Sequence, residues 1–139
     1  MIFDSHIHLP SPNWEHTAEF CPFNAVTTAL DYLKRAGIGQ TVFNTWQGVF
    51  CNSRAELDAG NTEALQWAER EPEFLLPGVV IHPAYPEESR RWLAHFRSLG
   101  RRWVGELVPY RCEIPFDDAR WLELFAECER HDHIVQLHG

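Results

Sequence analysis

The sequence has no run of lysine and arginine beyond short pairs such as Arg90-Arg91 and Arg101-Arg102. Its 12 basic residues are outnumbered by 20 acidic ones, for a formal net charge of −8. A surface that tracks nucleic-acid phosphates needs a basic stripe, and no base-reading or phosphate-cradling motif occurs, so no nucleic acid is expected as a partner. None of the four cysteines (Cys21, Cys51, Cys112, Cys128) pairs as C-x-x-C, which argues against a zinc ribbon or a dithiol redox motif. No basic n-region followed by an apolar core opens the chain, because Asp4 and His6 interrupt the apolar start. Neither a secretory leader nor a disulfide framework is therefore expected. No stretch of about 18 apolar residues exists, so no membrane span is predicted. Together these absences point to a cytoplasmic protein with reduced thiols.

What is present is ordinary globular material. The chain has 139 residues, 45% hydrophobic and 23% charged, enough for the core of one domain over residues 1–139. No repeat, low-complexity tract or linker divides it. Strands are predicted at residues 1–8, 41–46, 78–83, 102–108 and 133–138, where β-branched and aromatic residues cluster. Helical spacing separates them. Asn24 caps a helix through Val26, Ala29, Leu30 and Leu33. Ser53-Arg54-Ala55-Glu56 fits a capping box, and Gly60 and Asn61 are expected to break or re-cap that helix. Pro86 suits a first turn, and Asp117 or Asp118 opens the last helix. Residues 9–23 hold three prolines and no helical period, so they read as a long loop placed to act as a lid or specificity element. Strict alternation of strand and helix predicts an α/β fold with a parallel sheet and right-handed crossovers.

The chemistry sits at the ends of these strands. Asp4, His6 and His8 alternate along the first, and residues two apart face the same side with Cα atoms roughly 6.6 Å apart. His6 and His8 can then converge on one ion, with Asp4 deeper and suited to orient a histidine. The plainer alternative is two histidines that hydrogen-bond in a polar loop. The other strand ends favour the ion. His82 closes the third strand, Glu106 lies in the fourth and His138 ends the fifth. Parallel α/β folds place their chemistry at that edge, and a carboxylate in an apolar strand is costly unless paired or bound to a cation. His16, His95, His131 and His133 read as structural. Trp14, Phe20 and Trp46 either line a pocket or simply pack.

FDSHIH, VVIHP, VGEL and VQLH, in that order, resemble the amidohydrolase superfamily of metal-dependent hydrolases, in particular its amidohydrolase-related and TatD-like branches. The resemblance implies a parallel (β/α) barrel of TIM type, here a partial one of about five strands and four helices. It implies His6, His8 and His138 as metal ligands and Glu106 as a ligand or bridging carboxylate. Glu106 and His82 become the catalytic candidates, His82 by lining the barrel near the substrate. The cofactor implied is a divalent metal, zinc foremost, with Mn, Fe or Ni as alternatives. The activity implied is hydrolysis of a small-molecule substrate by metal-activated water. Decarboxylation of an aromatic acid is the alternative within the superfamily, and a non-catalytic metal-binding remnant is the third reading. A full barrel needs about 250 residues, and the family's later ligands are a histidine on strand six and an aspartate on strand eight. The 139 residues therefore read as the N-terminal part of such a barrel, with open edges suited to self-association.

Overall fold

The computed structural model describes residues 2–11 and 26–138. Asn24, Trp14, His16, Phe20 and residues 12–23 of the expected loop lie outside the described residues. In chain order the elements are β1 (Ile2–Leu9), α1 (Val26–Arg35), β2 (Ile38–Thr45), α2 (Trp46–Val49), α3 (Arg54–Arg70), β3 (Leu75–Pro77), α4 (Pro86–Ser98), β4 (Trp103–Leu107), α5 (Pro109–Cys112), α6 (Ala119–Arg130) and β5 (Ile134–Leu137). All strand pairs are parallel, in the orders β1-β2-β3 and β4-β5. This is the expected partial α/β barrel. The single turns α2 and α5 follow β2 and β4 directly and were not foreseen.

The third strand differs from expectation. It spans Leu75–Pro77, and residues 78–83 lie beyond it. The reason is a change of partners at Gly78. Gly78 N still donates to Phe43 O of β2 at 2.9 Å, whereas Val79 N donates to Trp103 O of β4 at 2.9 Å and Val79 O accepts from Gly105 N at 2.8 Å. The gap between β2 and β4 is filled by one side chain. Asn44 Nδ2 donates to Gly78 O at 3.0 Å, and Asn44 Oδ1 accepts from Glu106 N at 2.5 Å. An added Cβ at Gly78 would lie 2.3 Å from the Gly105 carbonyl, so only glycine permits this crossing. Val79, Val80 and Ile81 are as buried as strand residues, so their composition reads as a strand although their hydrogen bonds are not those of a ladder.

Helix α3 is the second difference, because it runs unbroken through Gly60 and Asn61. Both residues serve packing. A Cβ on Gly60 would meet the Gly48 backbone at 2.3 Å, so glycine lets α2 and α3 touch. Asn61, fully buried, turns its amide outward from the helix. Its Nδ2 donates to Val80 O at 2.9 Å and its Oδ1 accepts from Val80 N at 2.8 Å. In a segment that forms no regular ladder, two asparagines thus satisfy the Gly78 carbonyl and both Val80 backbone groups. The caps match expectation: Ser53 Oγ accepts from Glu56 N, Pro86 opens α4, and Asp118 accepts from Arg120 N. The Asp118 carboxyl falls to about 2 because Arg120 hydrogen-bonds it.

The core is continuous across these elements. Phe43, Leu57, Leu75, Val79, Phe96, Val104, Trp121 and Leu124 belong to one buried cluster. Each such side chain contributes about 1.5–3 kcal/mol relative to exposure. Asn61→Leu would keep the volume and strand both Val80 backbone groups. At about 1–3 kcal/mol for each buried unsatisfied group, the variant is expected to lose at least about 2 kcal/mol in urea denaturation. An unchanged midpoint would show that the Asn61 amide does not hold the segment.

Candidate metal centre

The site begins with an irregularity in β1. Asp4 pairs with Thr41 and Ile7 with Phe43, so three steps on β1 match two on β2. One residue is extra, at Ser5-His6, and such a bulge re-aims the side chains around it. Asp4 Oδ1 accepts from His6 N at 3.0 Å. Asp4, expected to orient a histidine, thus holds His6 through its backbone N–H.

With that bulge, His6 and His8 converge. Their Nε2 atoms are 3.0 Å apart. Glu106 Oε2, from β4, lies 3.6 Å from His6 Nε2 and 3.2 Å from His8 Nε2. These three atoms form a triangle with edges near that of a tetrahedral zinc site, where bonds of 2.0–2.1 Å set neighbouring donors about 3.3 Å apart. Among the described residues this trio is the one cluster of at least three histidine, cysteine or acidic side chains whose ligand atoms converge closely enough for a metal. Two imidazoles and one carboxylate are a donor set that divalent transition metals favour. The residues present thus fit the implied cation in spacing and in chemistry.

Surroundings reinforce the arrangement. Glu106 is 7% exposed, so its charge must be matched by neighbours. Its second oxygen, Oε1, lies 2.6 Å from His138 Nδ1 just beyond β5. His138 reaches the cluster through this contact with Glu106. The His8 ring stacks on Trp46 at 4.4 Å, and Trp46 stacks on Phe50 at 5.2 Å. Burial pushes the His8 pKa below its ordinary value, and the neighbouring His6 pushes the same way, while Glu106 opposes both. The neutral imidazole that results is the form that binds metal.

His82 stands apart from the trio. Its Nδ1 accepts from Ala84 N at 3.1 Å, so in the neutral ring the proton sits on Nε2. That nitrogen is buried without a hydrogen-bond partner. Ser89 Oγ fixes the His82 backbone, accepting from its N–H at 2.8 Å and donating to its carbonyl at 3.1 Å. His82 and Glu106 both line a cavity of about 20 Å³ with Cys51, Arg111 and Cys112, room for about one water. The remaining described histidines have structural partners: His95 lies against Trp92, His131 pairs with Glu127, and His133 meets the Arg102 carbonyl. Two residues that contact the trio escaped the sequence reading, Asn44 and Gln136. Gln136 Nε2 lies 2.8 Å from His6 Nδ1. The signal for both was a polar residue within an otherwise apolar strand.

No family model matches the chain, and no curated protein matches its sequence. Solved structures share its fold. The 2,6-dihydroxybenzoate decarboxylase from Rhizobium superposes with a TM-score of 0.71 at 13% identity, over 98% of this chain and 49% of that one. The manganese-bound 5-carboxyvanillate decarboxylase from Novosphingobium aromaticivorans gives 0.74 at 12%, over 98% and 50%. A putative amidohydrolase from Staphylococcus aureus gives 0.72 at 11%, over 98% and 46%. The chain thus spans about half the length of the structures it matches. Its fold is that of about half of each of these structures, the partial parallel (β/α) barrel anticipated from the strand-end motifs.

Burial alone holds the His82 pKa below its ordinary value, which is about 6.5 in an unfolded chain. As pH falls, the unfolded state therefore takes up the proton first. The stability linked to neutral His82 is full above about 6.5 and declines as pH drops toward the lower folded pKa. The urea midpoint of the wild type is expected to fall between pH 7.5 and 5.5, and His82→Gln to lessen that fall. Equal slopes for the two proteins would mean that His82 does not titrate across folding.

Proposed function

We propose that this chain is the metal-gripping half of an amidohydrolase-superfamily barrel enzyme, with a divalent cation held by His6, His8 and Glu106. The observation that carries this reading is the triangle of Nε2, Nε2 and Oε2 with edges of 3.0, 3.2 and 3.6 Å. Bound there, the cation would supply Lewis acidity and bring the pKa of water toward about 7. Zinc suits the donor set best, with Mn, Fe or Ni as alternatives.

The protein's own groups then have distinct tasks. His6 and His8 offer Nε2, and His8 is kept neutral by its burial. Glu106 turns Oε2 toward His6 and His8, where it would help hold the ion, and Oε1 toward His138. The Glu106–His138 pair, 2.6 Å apart, can hold a proton between carboxylate and imidazole, and the 42% exposed side chain of His138 gives that proton a route outward. His82, whose buried Nε2 has no hydrogen-bond partner, lines the same small cavity as Glu106. Trp46, stacked between His8 and Phe50, adds an aromatic flank beside the trio. These roles support hydrolysis of a small-molecule substrate by activated water.

A second reading is decarboxylation of an aromatic acid. It is favoured by the stacked Trp46–Phe50 pair beside the trio and by the two decarboxylases among the structural neighbours. Assays for CO2 release against hydrolysis separate the two. Metal binding without turnover would leave the non-catalytic reading. The free thiols of Cys51, Cys112 and Cys128 fit a reducing compartment such as the cytoplasm.

Elemental analysis of purified protein tests the shared premise. Wild type is expected to retain roughly one divalent ion per chain, and His6→Ala/His8→Ala to retain little. Equal metal content in the two proteins would remove the site.

A further inference from the structure

Gln136 ties β5 to β1 across the face where the trio lies. Its Nε2 is 3.2 Å from the Ser5 carbonyl oxygen and 2.8 Å from His6 Nδ1. A carbonyl can only accept, so the amide nitrogen, and not the amide oxygen, faces this pair. One N–H goes to Ser5 and the other goes to His6 Nδ1. A ring nitrogen that accepts has no proton, so the neutral His6 ring has its proton on Nε2. The backbone keeps the amide in reach. A Cβ on Gly105 would lie 2.3 Å from the Gln136 carbonyl, so the bare glycine lets β4 and β5 close up here.

This arrangement conflicts with metal binding in a specific way. To ligate through Nε2, His6 must move its proton to Nδ1, and Nδ1–H then needs an acceptor. Gln136 can offer one only by turning its amide over. Its oxygen would then face the Ser5 carbonyl with no proton between two acceptors. We propose that Gln136 is a positioning residue for metal uptake, whose amide N–H groups hold His6 in the Nε2–H tautomer and must reverse before a cation is gripped. The proposal rests on the reading of His6 as a ligand and adds a controlling residue that the trio alone does not contain.

The test uses two readouts on metal-free and zinc-titrated protein. Long-range proton–nitrogen NMR reports which His6 nitrogen bears the proton, and competition with a chromophoric chelator reports zinc affinity. Three proteins are compared: wild type, Gln136→Glu, which can only accept, and Gln136→Leu, which fills the space without hydrogen bonds. Expected are the Nε2–H tautomer in wild type and the Nδ1–H tautomer in Gln136→Glu. Zinc should bind the Glu variant about 10-fold or more tighter than wild type, as for carboxylate-supported histidine ligands, with Gln136→Leu weaker than the Glu variant. An Nδ1–H tautomer in metal-free wild type would overturn the proposal, and so would equal zinc affinity in the Glu and Leu variants. Failure of the metal reading itself looks different: His6→Ala/His8→Ala would then bind zinc as wild type does, while the tautomer of His6 still tests the lock.

Discussion

A carboxylate buried at the tip of an apolar strand is the constraint around which this half-barrel is arranged. Glu106 is 7% exposed, and desolvating an unpaired carboxylate costs far more than any one contact returns. The surrounding structure meets that demand from every side. His8 and His138 approach its two oxygens at 3.2 and 2.6 Å, and Asn44 accepts from its backbone N–H. The same Asn44 holds the crossing at Gly78. Removing the charge would leave three imidazoles with no reason to converge, and the Asn44 bridge would lose half its purpose.

The architecture was legible because it follows from periodicity. Apolar segments alternating with amphipathic helices leave few options other than parallel strands with crossovers. What misled was composition that two structures share. GVVIHP is apolar and β-branched whether it forms a ladder or merely lies buried, and only the change of partner from β2 to β4 at Gly78 decides between them. Gly60 and Asn61 have the residue types of a helix end. They sit mid-helix because each makes a tertiary contact, with Gly48 and Val80, that outweighs propensity. No local window contains those contacts.

The site was legible to a similar depth. Ligand-capable residues at successive strand ends led to His6, His8, Glu106 and His138, and the fold brings these four together. The strand register did not reveal the bulge, so the way Asp4 meets His6, through its backbone N–H, was not visible. Gln136 stood out only as a polar residue in an apolar strand, and its role was not legible for a different reason. A glutamine two residues before a histidine has no distinctive chemistry until its amide meets the Nδ1 of a ring 130 residues earlier. Tautomer choice is a property of pairs, and a sequence presents residues singly.

The placement of the cluster has a mechanical meaning beyond its chemistry. Among the described residues, β1 pairs only with β2 and β5 only with β4, and Val79–Val104 is the bridge between the two ladders. The trio straddles the opposite side of that division. His6 and His8 belong to the three-stranded ladder, while Glu106 and its companions His138 and Gln136 belong to the two-stranded one. Phe3 stacking on Trp103 at 6.0 Å marks the same seam further along β1. A cation gripped there would cross-link two ladders that share little backbone bonding, and its binding energy would become stability of the closed arrangement. Without it, the contacts that cross the seam beside the shared core are side-chain hydrogen bonds and the Phe3–Trp103 stack. Gln136, which reaches over the seam to both Ser5 and His6, therefore combines two tasks that oppose each other: it holds the ladders together with the same N–H groups that keep His6 from presenting its lone pair.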